Sequence, residues 1–205
     1  SKITGIEESD LIILIGTNPR YEATILNSRI RKAYLNNNID IFSLGDIGEL
    51  TYPYVVLDNS TKIINEIINN EHKLSELIKK SEKPMIILGQ SLLKMKSSSY
   101  VFEELKKYLL ANNKINNNWN SLNILSNNAS TVGAYDLDLL SSKNGNNDTL
   151  EKINKNKFDI IFLFGQDNLK FKKKNEFIIY IGSHGDRGAE MADIILPSAA
   201  YTEQD

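Results

Sequence analysis

Three short polar stretches carry the side chains with which this chain could do chemistry. Gly16-Thr17-Asn18 and Gly165-Gln166-Asp167 each follow an apolar run, and Gly182-Ser183-His184-Gly185-Asp186-Arg187-Gly188-Ala189-Glu190 gathers three glycines with five polar or charged side chains. A glycine at the carboxyl end of a strand turns the backbone sharply, at the place where open α/β sheets bind ligands. Pro19 can then begin a helix whose free N–H groups and partial positive charge face Thr17 and Asn18, a setting suited to a phosphate. Neither turn contains Gly-x-Gly-x-x-Gly or Gly-Lys-Ser/Thr, and no lysine follows closely enough to grip a phosphate, so a purely structural turn is an equal reading. In the third stretch His184 could serve as acid or base, oriented by Asp186. The chain offers no cysteine nucleophile and no Gly-x-Ser-x-Gly elbow, which favours a tight turn feeding a short helix. Gly16, Thr17, Asn18, Gly165, Gln166, Asp167, His184 and Asp186 are therefore pocket candidates, with no catalytic residue and no metal ligand expected.

The elements that position these turns are legible because one of them is written twice. Asp10-Leu-Ile-Ile-Leu-Ile-Gly16-Thr-Asn18 recurs as Asp159-Ile-Ile-Phe-Leu-Phe-Gly165-Gln-Asp167, an acid, five apolar residues, a glycine, one polar residue and then Asn or Asp. Such an unbroken run suits a strand covered on both faces in a parallel sheet. Asn18 can cap a helix in which Ala23, Leu26, Ile30 and Ala33 share a face, with Arg29, Arg31 and Lys32 towards its cation-favouring end. Ile39 to Leu44 returns as a strand, completing a βαβ unit. Tyr54 to Leu57 reads as a short strand. A helical pattern from Ser60 through Ile78, broken at Asn69 to Lys73 with His72 in solvent, ends at Pro84. Met85 to Leu88 is a third buried strand, closed by Gly89. Ser97 to Ser99 can cap a helix through Leu110, supported by a Glu103–Lys107 pair. Asn112 to Asn120 is a polar loop between two halves, 1–111 and 112–205, with Trp119 covering a core edge. Ser141 to Asn147 is a second loop, followed by the repeat strand, a basic surface turn at Lys170 to Lys174, a strand at Phe177 to Ile181, a short helix at Gly188 to Ala192 and a strand at Ile194 to Leu196. The fold class is α/β: parallel sheets flanked by helices, in two related nucleotide-fold halves.

Composition narrows the partners. A formal charge of −2 over 205 residues, with both signs interspersed, leaves no basic stripe for nucleic acid. No apolar run approaches the roughly 20 residues that span a bilayer, and the first eight residues resemble neither a secretory signal nor a transit peptide. Cysteine is absent and histidine occurs twice, so the chain has no thiolate for an iron–sulfur cluster or structural zinc and no redox cofactor of its own is expected. Lysine exceeds arginine, and asparagine and isoleucine are abundant, a bias expected of an AT-rich genome that gives single Asn and Lys residues little weight.

Ala189-Glu-Met-Ala-Asp-Ile-Ile-Leu-Pro-Ser-Ala-Ala-Tyr-Thr-Glu203 closely resembles a motif of the molybdopterin-oxidoreductase-like domain in the large iron–sulfur subunit of respiratory complex I, the NADH:quinone oxidoreductase. Leu14 to Ala23, Asn27 to Lys32 and Val132 to Leu137 resemble further segments of it. The resemblance implies a fold shared with formate dehydrogenases and nitrate reductases, in which two related halves each hold one arm of a bis-pterin guanine dinucleotide around molybdenum. In the complex I branch that cofactor is lost, so the eight pocket candidates would be vestigial and the domain a scaffold. Iron–sulfur clusters would sit on a cysteine-rich amino-terminal region or on a partner chain. The implied partners are other peripheral-arm subunits, including the cluster-bearing part of the same subunit and the NADH-oxidising module. The implied place is the matrix side of the mitochondrial inner membrane, or the cytoplasmic face in a bacterium. The family continues past the position of Asp205 into a Gly-Thr and Asn-x-Glu-Gly-Arg stretch. An active molybdopterin enzyme fragment and a free-standing nucleotide-binding module are the alternatives.

Overall fold

The computed structural model describes residues 3–128, 130–137 and 147–203, and the chain divides into two compact units, residues 1–129 and residues 130–205. The first unit is built on β1 (Leu11–Ile15), followed by α1 (Pro19–Glu22), α2 (Thr24–Asn37), β2 (Asp40–Leu44), β3 (Val55–Leu57), α3 (Lys62–Ile68), α4 (Lys73–Lys80), β4 (Pro84–Leu88), α5 (Gln90–Leu93), α6 (Ser98–Ala111) and β5 (Leu122–Ile124). Its five strands are parallel in the order β3-β2-β1-β4-β5, so the chain runs outward from β1 in one direction and then starts again on the other side of it. Both faces of β1 are buried. Ile12 and Leu14 pack with Ile30 and Ala33 of α2, while Ile13 and Ile15 pack with Ile63, Ile67, Leu74 and Ile78 of α3 and α4. The double burial read from the apolar run is what a parallel sheet with helices on both sides produces.

The second unit contains α7 (Thr131–Asp136), α8 (Asn147–Asn154), β6 (Ile160–Phe164), β7 (Phe177–Gly182), α9 (Arg187–Met191) and β8 (Ile194–Pro197). Its strands are parallel in the order β6-β7-β8. Ile161, Leu163, Ile178 and Tyr180 form the buried face with Ile153 and Phe171, and Ala189 and Met191 pack against them. The other face carries Ile160, Phe162, Phe164 and Phe177, all exposed. Here the expectation of a strand covered on both sides is corrected: β6 alternates exposed and buried, because the described helices of this unit that join its core lie on one face only.

Several local readings also shift. Residues 112–129, placed on sequence in the second half, belong with the first unit, because β5 pairs with β4 and the Trp119 indole N–H donates to Pro84 O at 2.8 Å. Trp119 does close a core edge, beside Met85 and Ile87. The helix beginning at Pro19 is interrupted at Ala23, whose φ of −155° and ψ of 76° end α1 and start α2. Arg29 and Lys32 do not serve the helix end, since α2 runs on to Asn37; both meet Glu7, at 2.5 and 2.6 Å. These partners, the Lys32 hydrogen bond first, hold the Glu7 carboxyl below its ordinary range. His72 is not merely solvated: it caps α4, its Nδ1 accepting the Leu74 N–H at 3.2 Å. Ser97 makes no side-chain cap to α6, and Lys107 pairs with Glu104 at 2.7 Å rather than Glu103. The basic turn is partly anchored, by Lys173 to Asp193 at 2.5 Å and Lys174 to Asn154 O at 2.5 Å. The loop expected at Ser141 to Asn147 lies outside the described residues apart from its last position, which opens α8.

Four asparagines, Asn38, Asn70, Asn113 and Asn156, adopt left-handed backbone, with φ between 47° and 64°. Each returns its N–H to the helix that has just ended, from Asn38 to Tyr34 O, Asn70 to Ile67 O, Asn113 to Leu110 O and Asn156 to Ile153 O. Asparagine tolerates this conformation better than other residues carrying a Cβ.

Candidate functional site

In the first unit the order of strand addition reverses between β1 and β4, and the turns closing both strands meet there. Gly16 takes a φ of 65°, and Gly89 N–H donates to Ile15 O at 2.8 Å. The approach is so close that a Cβ on Gly89 would lie 2.3 Å from Gly16 O and 2.4 Å from Thr17 Cβ. Beside this contact is a recess of about 290 Å³ lined by Thr17, Asn18, Glu22, Asp46, Asn59 and Ser91 among others. A second hollow of about 140 Å³, reaching Thr61 and Met95, shares Gly16, Leu44, Asn59 and Ser91 with it. The first pocket triad is thus assembled at the carboxyl ends of the strands, where the sequence places it.

Its polar groups are already engaged. Asn18 Oδ1 accepts the Arg20 N–H at 2.9 Å, capping α1, and its amide donates to Ile47 O at 2.5 Å. The Asn18 backbone N–H donates to Glu22 Oε1 at 2.9 Å and the Thr17 hydroxyl to Glu22 Oε2 at 3.0 Å. Asp46 Oδ1 accepts the Gly48 N–H at 2.8 Å. The larger recess therefore presents two carboxylates, Glu22 and Asp46, and no lysine or arginine in its lining. Like charge and a lack of cations oppose a pyrophosphate at this place, and the Thr17 hydroxyl and Asn18 N–H already face the Glu22 carboxylate. Nucleotide or pterin-dinucleotide binding does not fit this lining. Replacing Glu22 with alanine leaves the Asn18 N–H and the buried Thr17 hydroxyl without that acceptor. We expect a loss of about 1 kcal/mol, read as a lower urea midpoint followed by the fluorescence of Trp119.

In the second unit Gly165 also has a positive φ, 55°, and donates to Ile181 O at 2.7 Å. Asp167 Oδ1 accepts the Gly188 N–H at the start of α9 at 2.8 Å, and its Oδ2 lies 3.1 Å from the Tyr180 hydroxyl. That hydroxyl also sits 3.0 Å from His184 O. Burial first, and then the Asp167 carboxylate, push the Tyr180 hydroxyl above its usual range. The ring fills the space between the turn and α9, since a Cβ on Gly188 would lie 2.6 Å from both Gln166 O and the Tyr180 ring. Gln166 is exposed and accepts the Asn168 N–H at 3.0 Å. His184 and Asp186 are both exposed, and the imidazole Nδ1 contacts Ser183 Oγ at 2.9 Å. The turn joins His184 to this cluster through its carbonyl and not its ring. Among the described residues no group of three or more His, Asp or Glu side chains is placed to hold a metal ion.

Behind this cluster Asp193 ties β7 to its neighbours. Its carboxylate accepts the Ile178 N–H at 2.8 Å and pairs with Lys173, and these contacts, the backbone bond first, hold it below the ordinary 3.8. A lowered pKa contributes stability above the unfolded value, and that contribution disappears as pH falls through the folded one. Asp193→Asn is therefore expected to flatten the loss of Ile178 amide protection, exchange being corrected for its intrinsic pH dependence, as pH falls below the ordinary carboxylate range.

Glu22, Gly89 and Tyr180 are the site residues that sequence reading misses. Glu22 had a local signal, an acid in the first turn after a capping Asn. The roles of Gly89 and Tyr180 depend on pairing between distant segments.

Comparison with known proteins follows the same lines. A model of the family described as molybdopterin oxidoreductase matches residues 1–205. The NADH-ubiquinone oxidoreductase 75 kDa subunit of Reclinomonas americana is 42% identical over 202 residues, covering 97% of this chain and 29% of that protein. The mitochondrial NADH-ubiquinone oxidoreductase 78 kDa subunit of Candida albicans is 37% identical over 207 residues, all of this chain and 27% of that protein. An NADH-quinone oxidoreductase subunit of Rickettsia bellii is 38% identical over 203 residues, 98% of this chain and 28% of that protein. The chain thus spans between 27% and 29% of the length of these relatives.

Proposed function

The chain belongs to the molybdopterin oxidoreductase family, and on that premise we propose that it is a non-catalytic scaffold in the peripheral arm of respiratory complex I, supporting electron transfer from NADH to ubiquinone. The observation that carries the non-catalytic part is the pair of internal carboxylates. Glu22 takes the Asn18 N–H in one unit and Asp167 takes the Gly188 N–H in the other, so an N–H near the start of a helix in each unit is met by a carboxylate of the chain itself. The absence of cysteine supports placing the clusters elsewhere, on a cysteine-rich region of the same subunit or on a partner chain. The relatives named as subunits of NADH-quinone and NADH-ubiquinone oxidoreductases support the assembly. Its partners would be that cluster-bearing region and the NADH-oxidising module, on the matrix side of the mitochondrial inner membrane. No helix among the described residues is long and apolar enough to cross a membrane.

The contribution to rate is positional. Electron tunnelling between clusters depends steeply on distance, and a parallel sheet packed on both faces resists deformation. On a native gel the chain should co-migrate with a large NADH-oxidising band, and that band should contain iron but no molybdenum or pterin. Molybdenum and pterin in stoichiometric amounts on this chain would overturn the reading in favour of an active enzyme. A monomeric band, or saturable heat on titrating guanine nucleotide into the chain, would overturn it in favour of a free-standing nucleotide module.

A further inference from the structure

The basic turn that sequence alone leaves as a solvated surface acquires neighbours in the fold. Lys170 to Lys174 meets the end of α8, because Lys174 Nζ donates to Asn154 O at 2.5 Å and Phe171 joins Ile153 in one buried cluster. Lys152, Lys155 and Lys157 stand at and just beyond that helix end, and all seven lysines of the two runs are exposed. Across the positions 151–157 and 170–174 the only acid is Glu151, so these two runs carry a formal +6. The whole chain is −2, so its remainder carries −8. Positive charge is gathered here and outnumbered over the rest of the chain.

Local needs explain part of this patch. Lys152 and Lys155 suit the carbonyl end of a helix, Lys155 pairs with Glu151 at 3.1 Å, and Lys173 pairs with Asp193. Lys157, Lys170 and Lys172 are left over: among the described residues no carboxylate pairs with them, Asp159 included. The turn that presents two of them is held from inside. Phe171 and Glu176 are each 4% exposed, and Glu176 Oε1 accepts the Lys174 N–H at 3.0 Å. Unpaired like charges on a fixed backbone repel one another, which an acidic partner relieves, and a turn already ordered loses little further freedom on binding.

We infer that the end of α8 and the turn at Lys170 to Lys174 form a docking surface for a short acidic segment of another polypeptide, its carboxylates set against Lys157, Lys170 and Lys172. Size selects this partner among anions. A bilayer surface or a nucleic acid is extended, so it would face the −8 of the remaining chain as well as the patch, at distances that physiological salt screens only in part. A few carboxylates on a loop meet the patch alone. Nucleic-acid binding by charge also draws on about 6 to 10 phosphate contacts, against three uncommitted cations here. The inference is carried by the placement of charge and not by the respiratory reading, so the two can fail separately.

The test titrates the full chain into a fluorescein-labelled peptide of eight glutamates, followed by anisotropy. Saturable binding should weaken about tenfold between about 50 mM and about 300 mM salt. The triple variant Lys157→Gln, Lys170→Gln, Lys172→Gln should weaken it by about tenfold or more. Lys62→Gln, Lys79→Gln, Lys96→Gln, an equal change of net charge at exposed lysines of the first unit, should bind within about twofold of wild type. Both triples should melt as the wild-type chain does, since all six side chains are exposed. Equal losses in the two triples, binding that does not saturate, or indifference to salt would overturn the inference. So would tighter patch-dependent binding of phosphatidylglycerol vesicles, or of a single-stranded oligonucleotide, than of the peptide. In the native assembly, carbodiimide coupling should join Lys157, Lys170 or Lys172 to an Asp or Glu of another chain, and coupling confined to this chain or to a second copy of it would overturn the inference. Peptide binding by a chain that enters no NADH-oxidising assembly would count against the scaffold reading alone.

Discussion

Replacing Gly89 with alanine should destabilise the first unit by about 3 kcal/mol, a large part of the 5–15 kcal/mol that holds a typical domain folded. The added methyl group would lie 2.3 Å from Gly16 O and 2.8 Å from Gly16 C, and it would also meet Thr17 Cβ at 2.4 Å. Two of these atoms are backbone, so relief requires the turns after β1 and β4 to separate. That movement stretches the 2.8 Å bond from Gly89 N–H to Ile15 O and opens the recess beside it. Backbone conformation is not the cause, because Gly89 has an ordinary φ of −98°. Trp119 is the single tryptophan and is buried in this unit, so its fluorescence reports the loss directly. A urea midpoint within error of wild type would show that the turns yield freely.

Ile13→Ala should cost the first unit about 3 to 4 kcal/mol, and the matched Phe162→Ala should cost the isolated chain less than about 1 kcal/mol. Ile13 is enclosed by β1's neighbours and by helices on its face, so truncation leaves a cavity that the packing cannot collapse. Phe162 has solvent on the same side of its strand. Ordinarily the larger aromatic would be the more costly loss, and the inverted order follows only from the uncovered sheet. Urea titrations of both variants, followed by circular dichroism, check the ranking. Equal losses would mean that Phe162 is enclosed within the chain.

The first sheet was legible because its code is local. Five apolar residues, a glycine and a capping Asn specify β1 and its turn, and the 3.6-residue spacing of Ile30 with Ala33 and of Ile64 with Ile67 marks the faces of α2 and α3. The repeat carried this reading to β6. It could not carry the surroundings, because the cover of a strand is made by segments far away in the chain, and the second unit's described helices supply one side only. The boundary moved for the same reason: Asn112 to Asn120 reads as a linker by composition, yet β5 just beyond it pairs with β4. The candidate turns were legible in position but not in occupancy. Asn18 signals a cap, whereas the closing of the site by Glu22, and of its counterpart by Asp167 and Tyr180, depends on where side chains fold back.

Four helix ends rest on asparagine in a conformation that nearly every other residue with a side chain resists. Mutational drift that multiplies asparagine therefore falls harmlessly there, on sites where only glycine would serve better. Elsewhere in a helix the same drift weakens the element by a few tenths of a kcal/mol per substitution, on the order of the propensity differences between residues. These helix ends are thus places where an asparagine-rich composition and a sound backbone ask for the same residue.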